Sequence, residues 1–183
     1  RMLGSEEKLD PRVQTVEAAT YVFEDDSSIP NSNLPLVLYP GALDLPEENS
    51  AEICERVFHG NRWGDSWRNG IYSFHHYHST THEVLGLCEG KATVRFGGEK
   101  GVTVELARGD VAILPAGVGH KKLEGTADLL VVGAYPAGSD CDLMDANSTD
   151  HLRALEHIRE VPLPSTDPVY GPGGPLLDMW GVS

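Results

Sequence analysis

The sequence predicts an all-β domain, a sandwich or a barrel, on three observations. Between Trp67 and Tyr135, short apolar runs alternate with turns at roughly ten-residue spacing. The turns are marked by glycine, at Gly90, Gly97-Gly98, Arg108-Gly109-Asp110, Ala116-Gly117 and Gly125. No internal repeat is visible in the 183 residues, so the chain holds one such domain and not a fused pair.

The elements can be justified in order. Residues 1–12 are polar and should fray. Val13 to Val16 and Ala19 to Phe23 are short apolar runs, strands or an arm. Asp25 to Ser28 reads as a turn and Ile29 to Asn33 as a loop. Leu34 to Tyr39 reads as a strand, with Pro35 near an edge or a start, and Pro40-Gly41 ends it. A helix should begin at Asn49 or Ser50, because Asn49 followed by Glu52 matches a capping box. Ile53, Cys54, Val57 and Phe58 then repeat at helical spacing, and Gly60-Asn61 stops the helix. It should lie against the outside of the sheet that follows.

The strand runs are Ile71 to His78, Val84 to Leu87, Ala92 to Phe96, Val102 to Leu106, Val111 to Leu114 and Leu129 to Tyr135. Side chains alternate along a strand, so inward-pointing His76 and His78 would bring Tyr72 and Phe74 to the same face. An inward Glu83 brings Leu85 and Leu87 with it. The apolar set Ala92, Val94 and Phe96 is out of phase with that series. A bulge or tight turn is therefore expected near Glu89-Gly90.

Beyond Tyr135 the composition changes. Pro136 to Asn147 is an acidic loop. Ser148 or Thr149 should cap a second helix with Leu152, Leu155 and Ile158 on its buried side. His59, His151 and His157 fall on helices and read as structural or solvated. From Pro162 the chain is rich in proline and glycine, yet Leu176, Leu177, Met179 and Trp180 are too apolar for a free tail. They should dock on the same or a neighbouring subunit. The organisation is thus an arm and strands over 1–40, the main domain with its leading helix over 41–135, and a helix and tail over 136–183.

Composition excludes some partners. Apolar residues make up 40% and charged residues 23%, as in globular proteins. The formal net charge is −14, with no basic stripe, which disfavours nucleic acid and anionic membrane surfaces as partners. No run is long and apolar enough for a membrane-spanning helix. The first residues lack the apolar core of a secretory leader, the chain starts at Arg1 with an upstream segment open, and a cytoplasmic location is the expectation. Cys54, Cys88 and Cys141 are odd in number, widely spaced and without a CxxC. They predict no disulfide framework, a reducing compartment, and in each case a small buried or half-buried side chain.

The chemistry concentrates between Gly70 and Gly90. His76 and His78 project as a pair of imidazoles, and Glu83 follows the polar run Ser79-Thr80-Thr81-His82. Two imidazoles and a carboxylate across a hairpin are good ligands for a divalent transition metal, and His120 is the best candidate for a fourth. Fe(II), Mn(II), Ni(II), Co(II) and Zn(II) all tolerate such a set, and an octahedral ion would keep open positions. His82 adjoins Glu83 and is the alternative if the turn is distorted. Tyr72 either supplies a hydrogen bond or proton, or only packs. Trp63 and Trp67 read as packing over the domain's end, with Arg68 left open as a cation for a carboxylate. No phosphate-binding glycine loop and no Ser-His-Asp or Cys-His spacing is present.

These motifs carry a resemblance. Gly70, His76-x-His78, Glu83 and Gly90 match the first cupin motif at every fixed position, and Gly109, Pro115-x-Gly117 and His120 resemble the second. The second motif usually ends in an Asn four residues after the His, where this chain has Glu124. Ile29-Pro30-Asn31, Gly64 to Gly70, His76 to Ser79, Val132 to Pro136 and Asp167 to Gly171 are similar to the YjlB-type single-domain cupins, along nearly the whole chain.

The resemblance implies a cupin jelly-roll β-barrel (a double-stranded β-helix) with flanking helices, the ligand set His76, His78, Glu83 and His120, and a homodimer. It implies a metal-dependent enzyme on a small organic substrate, with dioxygenase chemistry preferred over decarboxylation or isomerisation. A non-catalytic small-molecule binder is the alternative, and a storage-like cupin a third. Glu124 either orients a ligand imidazole or sits in a polar surface turn.

Overall fold

The computed structural model describes residues 10–182. The expected fraying of residues 1–12 falls mostly on 1–9, which lie outside the described residues. Eleven strands form two antiparallel sheets. The first sheet has six strands: β1 (Ala19–Phe23), β2 (Ser32–Tyr39), β3 (Trp63–Asn69), β5 (Glu83–Glu89), β8 (Val111–Leu114) and β10 (Leu130–Pro136). Their spatial order is β1-β2-β8-β5-β10-β3. The second has five: β4 (His76–Tyr77), β6 (Lys91–Phe96), β7 (Val102–Ala107), β9 (His120–Gly125) and β11 (Met144–Asp145), in the order β11-β4-β9-β6-β7. The chain crosses repeatedly between the sheets, the topology of a jelly roll.

Burial follows from which face each sheet covers. Leu36, Leu38, Leu85, Leu87, Ala112, Leu114 and Val131 of the first sheet meet Ala92, Val94, Phe96 and Leu106 of the second. The other face of the first sheet is covered too. Helix α1 (Ser50–Gly60) lays Cys54, Val57 and Phe58 on Val84, Cys88, Val132 and Ala134. Full burial of Phe58 contributes about 2–3 kcal/mol. Strands β5 and β8 are therefore buried almost throughout, whereas β6 alternates between core and water.

Gly90 joins the two sheets with φ +77°, where a Cβ would come within 2.3 Å of Thr126 Oγ1. Leu85 and Leu87 before it and Ala92, Val94 and Phe96 after it enter one core. The expected phase change at Glu89-Gly90 is present.

Four expectations are corrected. The run Ile71 to His78 is not one strand: only His76–Tyr77 pairs, and 70–75 is irregular. Asn49 precedes α1 in a left-handed conformation, φ +63°, and its side chain makes no capping bond. Helix α2 (His151–Glu160) follows Asp150, while Ser148 Oγ accepts from the Asp145 amide. Its one fully buried residue is Ala154, flanked by half-buried His151, Leu155 and Ile158, the stripe a 3.6-residue period allows. Leu152 is off that stripe and 78% exposed. Finally, Cys54 and Cys88 are buried as free thiols but touch, Sγ to Sγ 2.6 Å, and Cys141 is exposed. Sequence distance hid the first contact, because α1 packs across β5.

The tail docks on its own chain through a short helix, α3 (Pro175–Met179), with Leu176, Leu177 and Trp180 buried. Its anchor is Asp167, fully buried, which accepts from Tyr39 Oη (2.5 Å) and from the amides of Val169, Tyr170 and Leu176. Asp167→Ala leaves those donors unpaired in the interior. It should cost about 3 kcal/mol, read as a lower urea midpoint at unchanged slope.

Candidate metal centre

Both sheets contribute to the site. His76 and His120 face each other across β4 and β9, and His78 follows at the end of β4. Glu83 begins β5 on the opposite sheet. One ring nitrogen from each of His76, His78 and His120 lies within 4.8 Å of the others. His78 Nε2 is 3.4 Å from Glu83 Oε2, and His120 Nε2 is 3.4 Å from Glu83 Oε1. His76, Glu83 and His120 are buried, and His78 is nearly so.

The backbone orients the rings. Nδ1 of His76 bonds the Phe74 carbonyl at 2.9 Å, and Nδ1 of His120 bonds the Val118 carbonyl at 3.2 Å. Nδ1 of His78 bonds the Asp142 carbonyl. Carbonyls only accept, so each Nδ1 carries a proton and each Nε2 is the nitrogen turned toward the centre. Glu83 Oε1 is buried with no hydrogen-bond partner among the described residues. Three imidazole lone pairs and an unsatisfied carboxylate oxygen in one dry space are what a divalent cation would satisfy. The donor set fits such an ion.

A proton competes with an ion for this donor set. Burial lowers the pKa of His78, but the adjacent Glu83 carboxylate outweighs it and raises the ring to about 11. Burial would raise Glu83, yet His78 and His120 hold it well below the usual carboxylate range. His76 falls to about 3, through burial first and then its neighbour His120.

His82 belongs elsewhere. Its Nδ1 accepts from the Ala116 amide at 2.9 Å, its ring packs on Trp180, and burial lowers its pKa to about 4. It faces the docked tail, as alternation with Glu83 requires. Between His82 and Glu83, the geometry brings Glu83 to the histidines.

A cavity of about 470 Å³ opens beside the triad, walled by residues that include Trp67, Arg68, Tyr72, Lys122, Tyr135 and Asp142. Tyr72 lies at its mouth, 53% exposed, its ring 5.1 Å from that of His76. Phe74 stacks on Tyr72 and is 42% exposed, so neither plugs the space. The shared inward face expected for both is lost because 71–75 leaves the sheet.

Glu124 is exposed and not part of the cavity wall. A bulge opposite Thr93/Val94 breaks the alternation between Lys122 and Glu124. Among the described residues Glu124 makes no side-chain hydrogen bond or ion pair through which to orient a ligand imidazole.

Trp63 is buried, with Nε1 donating to the Thr166 carbonyl, and Arg68 pairs with Glu55. Tyr135 was not anticipated. Its hydroxyl accepts from Trp67 Nε1 at 2.8 Å and has the Cys141 thiol as its other polar neighbour. Burial and the Glu83 charge raise its pKa, so it stays protonated. Trp67 lies across Gly133, its partner in register, where a Cβ would come within 2.2 Å of the indole. The Gly133-Ala134-Tyr135 spacing was legible, but its pairing with Trp67 is long-range.

No family model matches the chain. YjlB, an uncharacterized protein of Bacillus subtilis strain 168, is 41% identical over 165 residues, 90% of this chain and 97% of that protein. An acireductone dioxygenase from Bacillus anthracis, solved with cadmium in its active centre, is 18% identical at a TM-score of 0.38, over 66% of this chain and 79% of its own. An 11S globulin from Wrightia tinctoria is 16% identical at 0.35, over 44% of this chain and 22% of its own length, so this chain spans about a fifth of that globulin. At these scores neither solved structure bears on activity. No helix among the described residues is long and apolar enough to cross a membrane.

Because the Glu83 carboxylate raises the pKa of His78, an ion must compete with a proton for that ring. Calorimetric titration with Zn(II) near neutral pH, in buffers of different ionisation heat, should show roughly one proton released per ion and an affinity rising with pH. A pH-independent affinity contradicts the assignment.

Proposed function

Because the chain belongs to the same family as YjlB of Bacillus subtilis, we propose that it is a metal-binding cupin and a metal-dependent enzyme acting on a small organic substrate. His76, His78, Glu83 and His120 would hold the ion. The observation that carries this reading is the convergence of three backbone-oriented imidazoles on a buried carboxylate. A divalent transition ion in that set would supply Lewis acidity and open positions for a chelating substrate or dioxygen. Dioxygenase chemistry is the preferred class.

The chain's own groups do the rest. The apolar and aromatic wall, with Trp67, Ile71 and Leu85, excludes water from one side of the substrate. The Tyr135 hydroxyl, fixed by Trp67, donates a hydrogen bond to a substrate oxygen. Tyr72 closes over the mouth as a positioning residue. The cavity suits a molecule of metabolite size.

Untagged protein should carry a first-row divalent metal. Glu83→Ala and His76→Ala should each weaken metal binding beyond the roughly 10–100-fold typical of outer-shell changes, whereas His82→Ala retains it. Elemental analysis of the variants checks this, and full metal in Glu83→Ala with none in His82→Ala would reverse the ligand choice. A substrate screen with oxygen uptake then separates the classes: turnover marks an enzyme, and saturation without product marks a binding module.

A further inference from the structure

The wall of the cavity carries charges of both signs. Its acids are committed: Glu83 faces the histidines, and Asp142 accepts from the amides of Ser79 and Thr80 and from Ser79 Oγ. Arg68 is committed as well, paired with Glu55. Lys122 is half-buried in the same wall and makes no ion pair among the described residues. A wall cation without an ion pair among the described residues stands out in a chain of net charge −14.

Its placement is set by the strand. Lys122 is two residues beyond His120 on β9, hence on the same face, roughly 7 Å farther toward the mouth. Its amide donates to the Tyr72 carbonyl at 2.9 Å, which fixes that stretch to the rim. A molecule with oxygens at the triad and a body along β9 would therefore present its far end to the ammonium.

We propose that Lys122 is a specificity residue for a second anionic group, and that the substrate class is a short organic dianion. Such a molecule chelates through a 2-hydroxy- or 2-oxo-carboxylate at one end and carries a carboxylate at the other. This deepens the metal-site reading and rests on it. The charge-assisted contact with Lys122, partly shielded from water, supplies discrimination against chains of equal length that end in a methyl group.

The test compares two acids on Zn-loaded protein by calorimetry: 2-hydroxyglutarate and 2-hydroxypentanoate, which share the chelating end and chain length but not the distal charge. The intact protein should prefer the dicarboxylate by about tenfold or more. Lys122→Met should remove the preference at unchanged zinc content, Lys122→Arg should restore it, and Arg68→Met should keep it. Equal affinity in the intact protein, a preference that survives Lys122→Met, or no binding of either acid overturns the proposal. Protein that takes up no zinc overturns the metal reading instead, and the Lys122 preference is then read on that protein in the same way.

Discussion

Three hydrogen bonds from imidazole Nδ1 to main-chain carbonyls govern the site. The acceptors, Phe74, Val118 and Asp142, are backbone groups held by the fold, and at His78 the Cys141 thiol also lies 3.3 Å from Nδ1. Each bond fixes a tautomer and turns Nε2 inward. Glu83 completes the set from the other sheet, with one oxygen left unpaired in the interior. An uncompensated carboxylate there is costly, and its field raises the pKa of the adjacent His78.

The remainder of the fold keeps that end of the two sheets in register. Strand β5 carries Glu83 and is buried on both faces, under α1 on one side and against the second sheet on the other. Moving it would expose both cores. The tail adds a second constraint, because Trp180 packs on His82 and donates to the Pro35 carbonyl. His82 is thereby held on the face opposite Glu83. The anchor of that tail is Asp167, far from the cavity in function but not in consequence.

What could be read from the sequence was what local spacing encodes. His76, His78 and Glu83 sit on one short segment, so pleat and turn sufficed, and Gly90 marked the phase change. The strand face assigned to Tyr72 and Phe74 failed for a local reason: the chain between Gly70 and His76 leaves the sheet, and alternation no longer applies, although Tyr72 still lines the cavity. For Glu124 the two readings left open by spacing are decided by a bulge on β9, which is invisible without its partner strand, in favour of the surface turn. The Cys54–Cys88 contact, the Trp67–Tyr135 bond and the unpaired state of Lys122 all depend on elements distant in sequence. Periodicity carries no information about such pairings.

X-ray absorption at the metal edge of zinc-loaded protein tests the central claim most directly. The account predicts a first shell of nitrogen and oxygen at roughly 2.0–2.2 Å, with the outer-shell scattering of three imidazoles. A sulfur scatterer at about 2.3 Å, which would place Cys141 in the shell, or scattering from fewer than three imidazoles, would contradict it.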